Sequence, residues 1–150
     1  PEDVPGRTGL VGMPTWLWVK NPSEATIGPV QRTVTTGAVT VNLTAVLTSI
    51  VWNMGDGIGV FPCAGPPVAP YTPYTDVALS LPSPTCGYFY QRSSIDQPDH
   101  MWHVSATSMW LIFWTVAAPQ GAIGGVIPLA PTARTQIRTG EMQVLVQPVP

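Results

Sequence analysis

Two stretches of strict two-residue alternation constrain this chain more than anything else in it. Over residues 39–47 Val39, Val41, Leu43, Ala45 and Leu47 fall on one side, with Thr40, Asn42, Thr44 and Val46 on the other. Successive residues of a strand point to opposite faces of a sheet, so this is a strand with a core face. Over residues 101–116 Trp102, Val104, Ala106, Ser108, Trp110, Ile112, Trp114 and Val116 share one side. The opposite side opens polar with His103, Ser105 and Thr107, then turns apolar at Met109, Leu111 and Phe113. The near half of this strand should be covered on one face, and the far half on both.

Shorter segments at 15–20, 49–54, 87–92, 132–138 and 142–146 also read as strands. Residues 21–24 and 93–100 read as turns, and the glycine-rich stretch 121–125 as a hairpin or loop. No segment carries the periodicity of an amphipathic helix of useful length. The expected fold is all-β, a sandwich of about seven to nine strands. Residues 1–14 read as an extended N-terminal arm, 15–147 as a single domain and 148–150 as a C-terminal tail.

Composition narrows the function classes. Charged residues are 9% of the 150, against about 25% in ordinary domains. Lys20 is the only lysine and the net charge is -2, so the electrostatic footprint of a nucleic-acid binder is missing. A hydrophobic fraction of 45% argues against a disordered chain. A surface this poor in charge is weakly protected against association, which makes protein partners, or copies of the chain itself, plausible. The longest apolar run, residues 109–118, is shorter than the roughly 20 residues a membrane helix needs, so no transmembrane segment is expected. The sequence opens at Pro1 without a hydrophobic leader and reads as a trimmed product.

Cys63 and Cys86 lie at the two ends of a proline-rich stretch, residues 62–85, and are expected to pair in an oxidising compartment. Closing a loop of that length stabilises a fold by roughly 3 kcal/mol. No metal or cofactor is expected. His100 and His103 with Asp96 and Asp99 are the only ligand types that cluster, and they read as a solvated turn, with calcium at Asp96 and Asp99 the alternative use. Ser93 and Ser94 near His100 and Asp96 are the sole nucleophile candidates, and they lack the context of a nucleophile elbow. The chain is not expected to be an enzyme.

One segment carries a resemblance. Val51-Trp52-Asn53-Met54-Gly55-Asp56-Gly57 runs from a strand through a Trp into a Gly-Asp-Gly turn. Gly55 and Gly57 suit positive φ, and Asp56 can bond nearby amides. Tyr88 and Tyr90 follow on a later strand, and Pro98-Asp99 precedes the alternating strand that begins near Trp102. Over residues 39–116, about half the chain, this pattern resembles PKD-type domains, immunoglobulin-like β-sandwiches of secreted and cell-surface bacterial proteins. Asn53 and Met54 stand where that family has Asp and Phe. The resemblance implies an immunoglobulin-like sandwich, from which the long stretch between Cys63 and Cys86 departs, working outside the cell in adhesion, spacing or assembly rather than catalysis.

Three functions follow as expectations: a structural or adhesive module at a bacterial surface, a self-assembling subunit of an extracellular filament or coat, and a carbohydrate-binding module. Trp16, Trp18, Met109, Leu111 and Phe113 are the expected interface residues. A glycan would need a row of exposed aromatics, with Tyr71 and Tyr74 on offer.

Overall fold

The computed structural model describes residues 8–64 and 81–142. Two long antiparallel strands form its spine, β4 (Val39–Asn53) and β7 (Trp102–Ala118), paired along nearly their whole length. Each long strand carries two shorter partners on its outer edge. β3 (Val30–Thr36) and β5 (Val60–Ala64) lie end to end along β4, while β8 (Gly121–Leu129) and β9 (Thr132–Ile137) lie end to end along β7. The result is a six-stranded antiparallel sheet with a near half, β5-β4-β7-β9, and a far half, β3-β4-β7-β8.

Two small ladders complete the described fold. β1 (Gly9–Leu10) runs parallel to β10 (Thr139–Gly140), and β2 (Pro14–Trp16) pairs with β6 (Gly87–Phe89). The part of the N-terminal arm that the structure describes therefore pairs with its own chain. Among the described residues, helix is limited to α1 (Glu24–Ile27) and a 3-10 turn at Pro98–His100. None is long and apolar enough to cross a membrane.

The core sits under the near half. Leu17, Leu47, Ile50, Trp52, Met54, Tyr90, Trp102 and Val104 pack together with the bonded sulfurs of Cys63 and Cys86, backed by Trp18, Ile27, Phe61 and Trp110. The disulfide joins β5 to the residue preceding β6, with Cα atoms 6.0 Å apart. It thus ties the large sheet to the β2–β6 ladder across the core. Each large side chain buried here contributes about 1.5–3 kcal/mol.

Three expectations change. Residues 39–47 and 49–54 are one strand rather than two, because a bulge at Thr48 absorbs the break in alternation. The Thr48 hydroxyl donates to the Met109 carbonyl at 2.9 Å, and the extra residue keeps Leu47 and Ile50 on the same face. The glycine-rich stretch 121–125 is the start of β8, not a loop. Its glycines serve close approach: a Cβ at Gly124 would lie 2.7 Å from the Trp114 carbonyl oxygen, and one at Gly125 3.1 Å from the Trp114 indole nitrogen. Finally, the alternating face of β4 is a core face only at its end. Leu47 is buried, whereas Val39 and Val41 are exposed.

The expected last strand at 142–146 lies outside the described residues, apart from an exposed Met142. The loop tyrosines Tyr71 and Tyr74, residues 1–7 of the arm and the 148–150 tail also fall outside them.

Candidate protein interface

The Trp-x-x-Gly-Asp-Gly turn is where polar groups are most densely engaged. The Asn53 carboxamide oxygen accepts the Gly55 amide at 2.9 Å, and one Asp56 oxygen accepts the amides of Ile58 and Gly59 at 3.0 and 2.8 Å. The other Asp56 oxygen accepts the Tyr88 hydroxyl. Tyr90 donates to the Met54 carbonyl at 2.9 Å, and Arg92 to the Asp56 carbonyl at 2.6 Å. Rings continue this network into the core: Phe61 stacks on Tyr88, Tyr88 meets Tyr90 edge-on, and Tyr90 stacks on Trp102. The Arg92 guanidinium lies 5.3 Å from the centre of the Trp102 ring.

Burial alone would raise the Asp56 carboxyl, but the bonds from Tyr88 and from the Gly59 and Ile58 amides outweigh it and hold the carboxyl below its usual range. Tyr88 moves the other way. Burial, then the bond to and charge of Asp56, push its hydroxyl up to about 12. Tyr90 also rises, chiefly through burial.

These shifts fix a pH dependence. The tyrosine hydroxyl ionises near 10.0 in the unfolded chain and, at Tyr88, only near about 12 in the fold. A raised folded value contributes stability that is complete below the unfolded value and is lost as pH rises through the folded one. The thermal midpoint should therefore hold up to about pH 10 and fall steeply toward about pH 12, with Tyr88→Phe flattening part of that fall. Circular dichroism melts across the range test this, and a midpoint indifferent to pH there would refute it. On the acid side, the Asp56 contribution is present above the ordinary carboxylate range and disappears as pH drops through its lowered value.

The residues read as alternatives for chemistry are not brought together as a reactive set. The Ser94 hydroxyl is fully buried and donates to the His100 backbone carbonyl at 2.6 Å, while also accepting the Thr139 amide at 3.1 Å. His100 bonds through Nδ1 to the Ile95 carbonyl, and His103 lies on β7, 3.4 Å from the Gln136 amide nitrogen. Asp96 and Asp99 are exposed. Among the described residues, no three His, Cys, Asp or Glu side chains are grouped to hold a metal ion.

The far half of the sheet presents a different surface. Its register stacks side chains in rows across four strands. Val30, Ala45, Ile112 and Ile127 form one row, and Val34, Val41, Val116 and Ile123 form another on the same face. Between them lie Arg32, Leu43, Trp114 and Gly125, and nearer the core Leu47, Trp110 and Leu129. This face is continuous with the covered core face of the near half, since Leu47 belongs to the core and Trp110 packs against it. Beyond that point it opens: Val34 is 62% exposed, Ile123 68% and Ile127 52%. Arg32 is the one charged side chain in β3, β4, β7 and β8, and it is paired to Glu24 at 2.7 Å.

The opposite face is polar toward its tip, where Thr33 donates to Asn42 at 2.8 Å and Thr35 and Thr40 bond at 3.1 Å. Closer to the bulge it carries Met109, Leu111 and Phe113, beside Val46, Val126 and Pro128. Met109 and Phe113 are exposed and Leu111 half-buried. Of the other two expected interface residues, Trp16 is buried and donates its indole N–H to the Leu81 carbonyl at 2.8 Å, and Trp18 packs on the core. Reading β7 alone directed attention to its odd positions. The even side carries the wider apolar surface, where the half-buried Ile112, Trp114 and Val116 of β7 lie between exposed Val41 on β4 and exposed Ile123 and Ile127 on β8. The alternation of residues 39–43 was its signal, because a run of valine and leucine on one side of a strand needs a cover.

Comparison with protein-family models, with curated proteins and with solved structures returned no match.

Proposed function

We propose that the chain is a non-enzymatic, PKD/immunoglobulin-like module that works outside the cell at a bacterial surface, holding a protein partner on the apolar face of its overhanging far sheet. The observation that carries this reading is that face. β3, β4 and β8 expose aliphatic side chains on it and β7 adds the half-buried Ile112, Trp114 and Val116, with a single charge among the four strands that is already paired. Contiguous apolar surface on this scale marks an association site. The Trp52-to-Gly57 turn with its Tyr88 and Tyr90 partners supports the family reading, and the Cys63–Cys86 disulfide supports an oxidising compartment.

The assembly form of this proposal, a subunit of a filament or coat, is favoured by a further observation. Among the described residues, β3 and β8 are the outer strands of the far sheet, and β8 is exposed along its whole length. Open edges poor in charge are templates for pairing with other chains. Light scattering on unfractionated native material, under non-reducing conditions, tests the proposal. Particles well above 16.0 kDa are expected. A monomer in that material would overturn it.

A further inference from the structure

We infer that the occupant of the apolar face is a second copy of this chain, packed sheet against sheet; the inference rests on the interface reading above and names its partner. Shape is the first argument. The face is four strands wide and nine residues long, about 19 Å by 27 Å. A lone helix is about 10 Å across and would leave half of it wet. Another four-stranded sheet matches it, and sheets of this kind stack about 10 Å apart with their strands nearly aligned.

Area is the second argument. Two such faces brought together remove on the order of 1,000–1,500 Å² of accessible surface, which reaches the range of specific, stable protein interfaces. The Trp114 indole helps by lying across Gly125, where a Cβ would sit only 3.1 Å away, so the centre of the face is flat rather than knobbed.

The third argument concerns charge and edges. A partner of different chemistry would be selected chiefly by complementary charges, and the one charge among these four strands is Arg32, held by Glu24. An aliphatic face is complementary to itself, and a two-fold pair buries the same patch on both copies. A lipid surface fits less well. Among the described residues, the far sheet ends in two outer strands, β3 and β8, whose outward backbone groups would go unsatisfied in hydrocarbon, whereas in a sheet-on-sheet pair those edges stay in water.

The test uses the purified full chain with its disulfide intact. Val41 and Ile123 are both exposed and occupy one row, so charges there leave the monomer's packing alone. The wild type should scatter at twice 16.0 kDa. The double variants Val41→Glu/Ile123→Glu and Val41→Lys/Ile123→Lys should each be monomeric with unchanged circular dichroism, their pairing weakened at least about 100-fold. Mixing the two should restore the dimer, a rescue that a folding defect would not give. A wild type that stays monomeric at on the order of 100 μM would overturn the inference, as would a Glu variant that remains dimeric or a mixture that remains monomeric. A monomeric wild type that co-sediments with phosphatidylcholine vesicles would assign the face to lipid instead. Large particles in unfractionated material alongside a monomeric purified chain would overturn only the self-pairing and leave the interface reading standing.

Discussion

Gly55→Ala is expected to cost about 2–5 kcal/mol of stability, a large share of the 5–15 kcal/mol that holds a typical domain together. Gly55 sits at φ 79°, and a Cβ there would lie 2.6 Å from the His103 carbonyl oxygen and 2.8 Å from its nitrogen. Both are backbone atoms of β7, the central strand, so relief requires moving the spine of the sheet rather than rotating a side chain. Gly57→Ala is the internal control. Its φ is 82° but nothing lies within 4 Å of the added carbon, so it incurs only the dihedral cost of about 1–2 kcal/mol. Urea unfolding of the two variants separates contact from conformation. Equal losses at the two positions would show that the packing of the turn against β7 contributes nothing.

Replacing both cysteines, Cys63→Ser with Cys86→Ser, should lower stability by at least about 3 kcal/mol. The two residues are 23 apart in sequence, so opening the link frees a loop of that length in the unfolded chain. Both side chains are also buried, and serine hydroxyls in their places would need hydrogen-bond partners. The link has a structural consequence beyond entropy, because it is the covalent join between the six-stranded sheet and the β2–β6 ladder that covers its core face. Unfolding with and without reductant should show the midpoint fall in the wild type and stay put in the double variant. The denaturant dependence should also steepen once the link is gone, because the unfolded chain is then more expanded. A wild-type midpoint untouched by reductant would contradict this account.

Both predictions come from features already legible in the sequence. The Gly-Asp-Gly turn after Trp52 declares itself by residue type, since glycine tolerates positive φ and aspartate captures the following amides; Gly55, Asp56 and Gly57 do those things in the fold. The cysteine pair was legible from its setting around one loop. The strands at 39–53 and 102–118 were partly legible, while β3 at 30–36 was not read as a strand. Alternation fixed which side chains share a face, but it could not separate a bulge from a strand break at Thr48, nor a glycine strand from a glycine loop at 121–125. In each case the deciding contact belongs to another strand: the Met109 carbonyl for Thr48, and Trp114, across the β7–β8 hairpin, for Gly124 and Gly125.

Sequence by itself therefore determined the all-β class, the disulfide, the turn and the sidedness of the two long strands, because each depends on neighbours one to four residues apart or on residue chemistry alone. Tertiary structure decided where the cover on the core face stops. The alternating face of β4 reads the same from Val39 to Leu47, yet Leu47 is buried and Val39 and Val41 are open. The difference lies in which distant segments pack over each position. Residues 17–19 with the β2–β6 ladder and α1 reach as far as Trp110, and the four strands of the far sheet continue past them. Burial is a property of the whole chain's path, and a two-residue period carries no information about it.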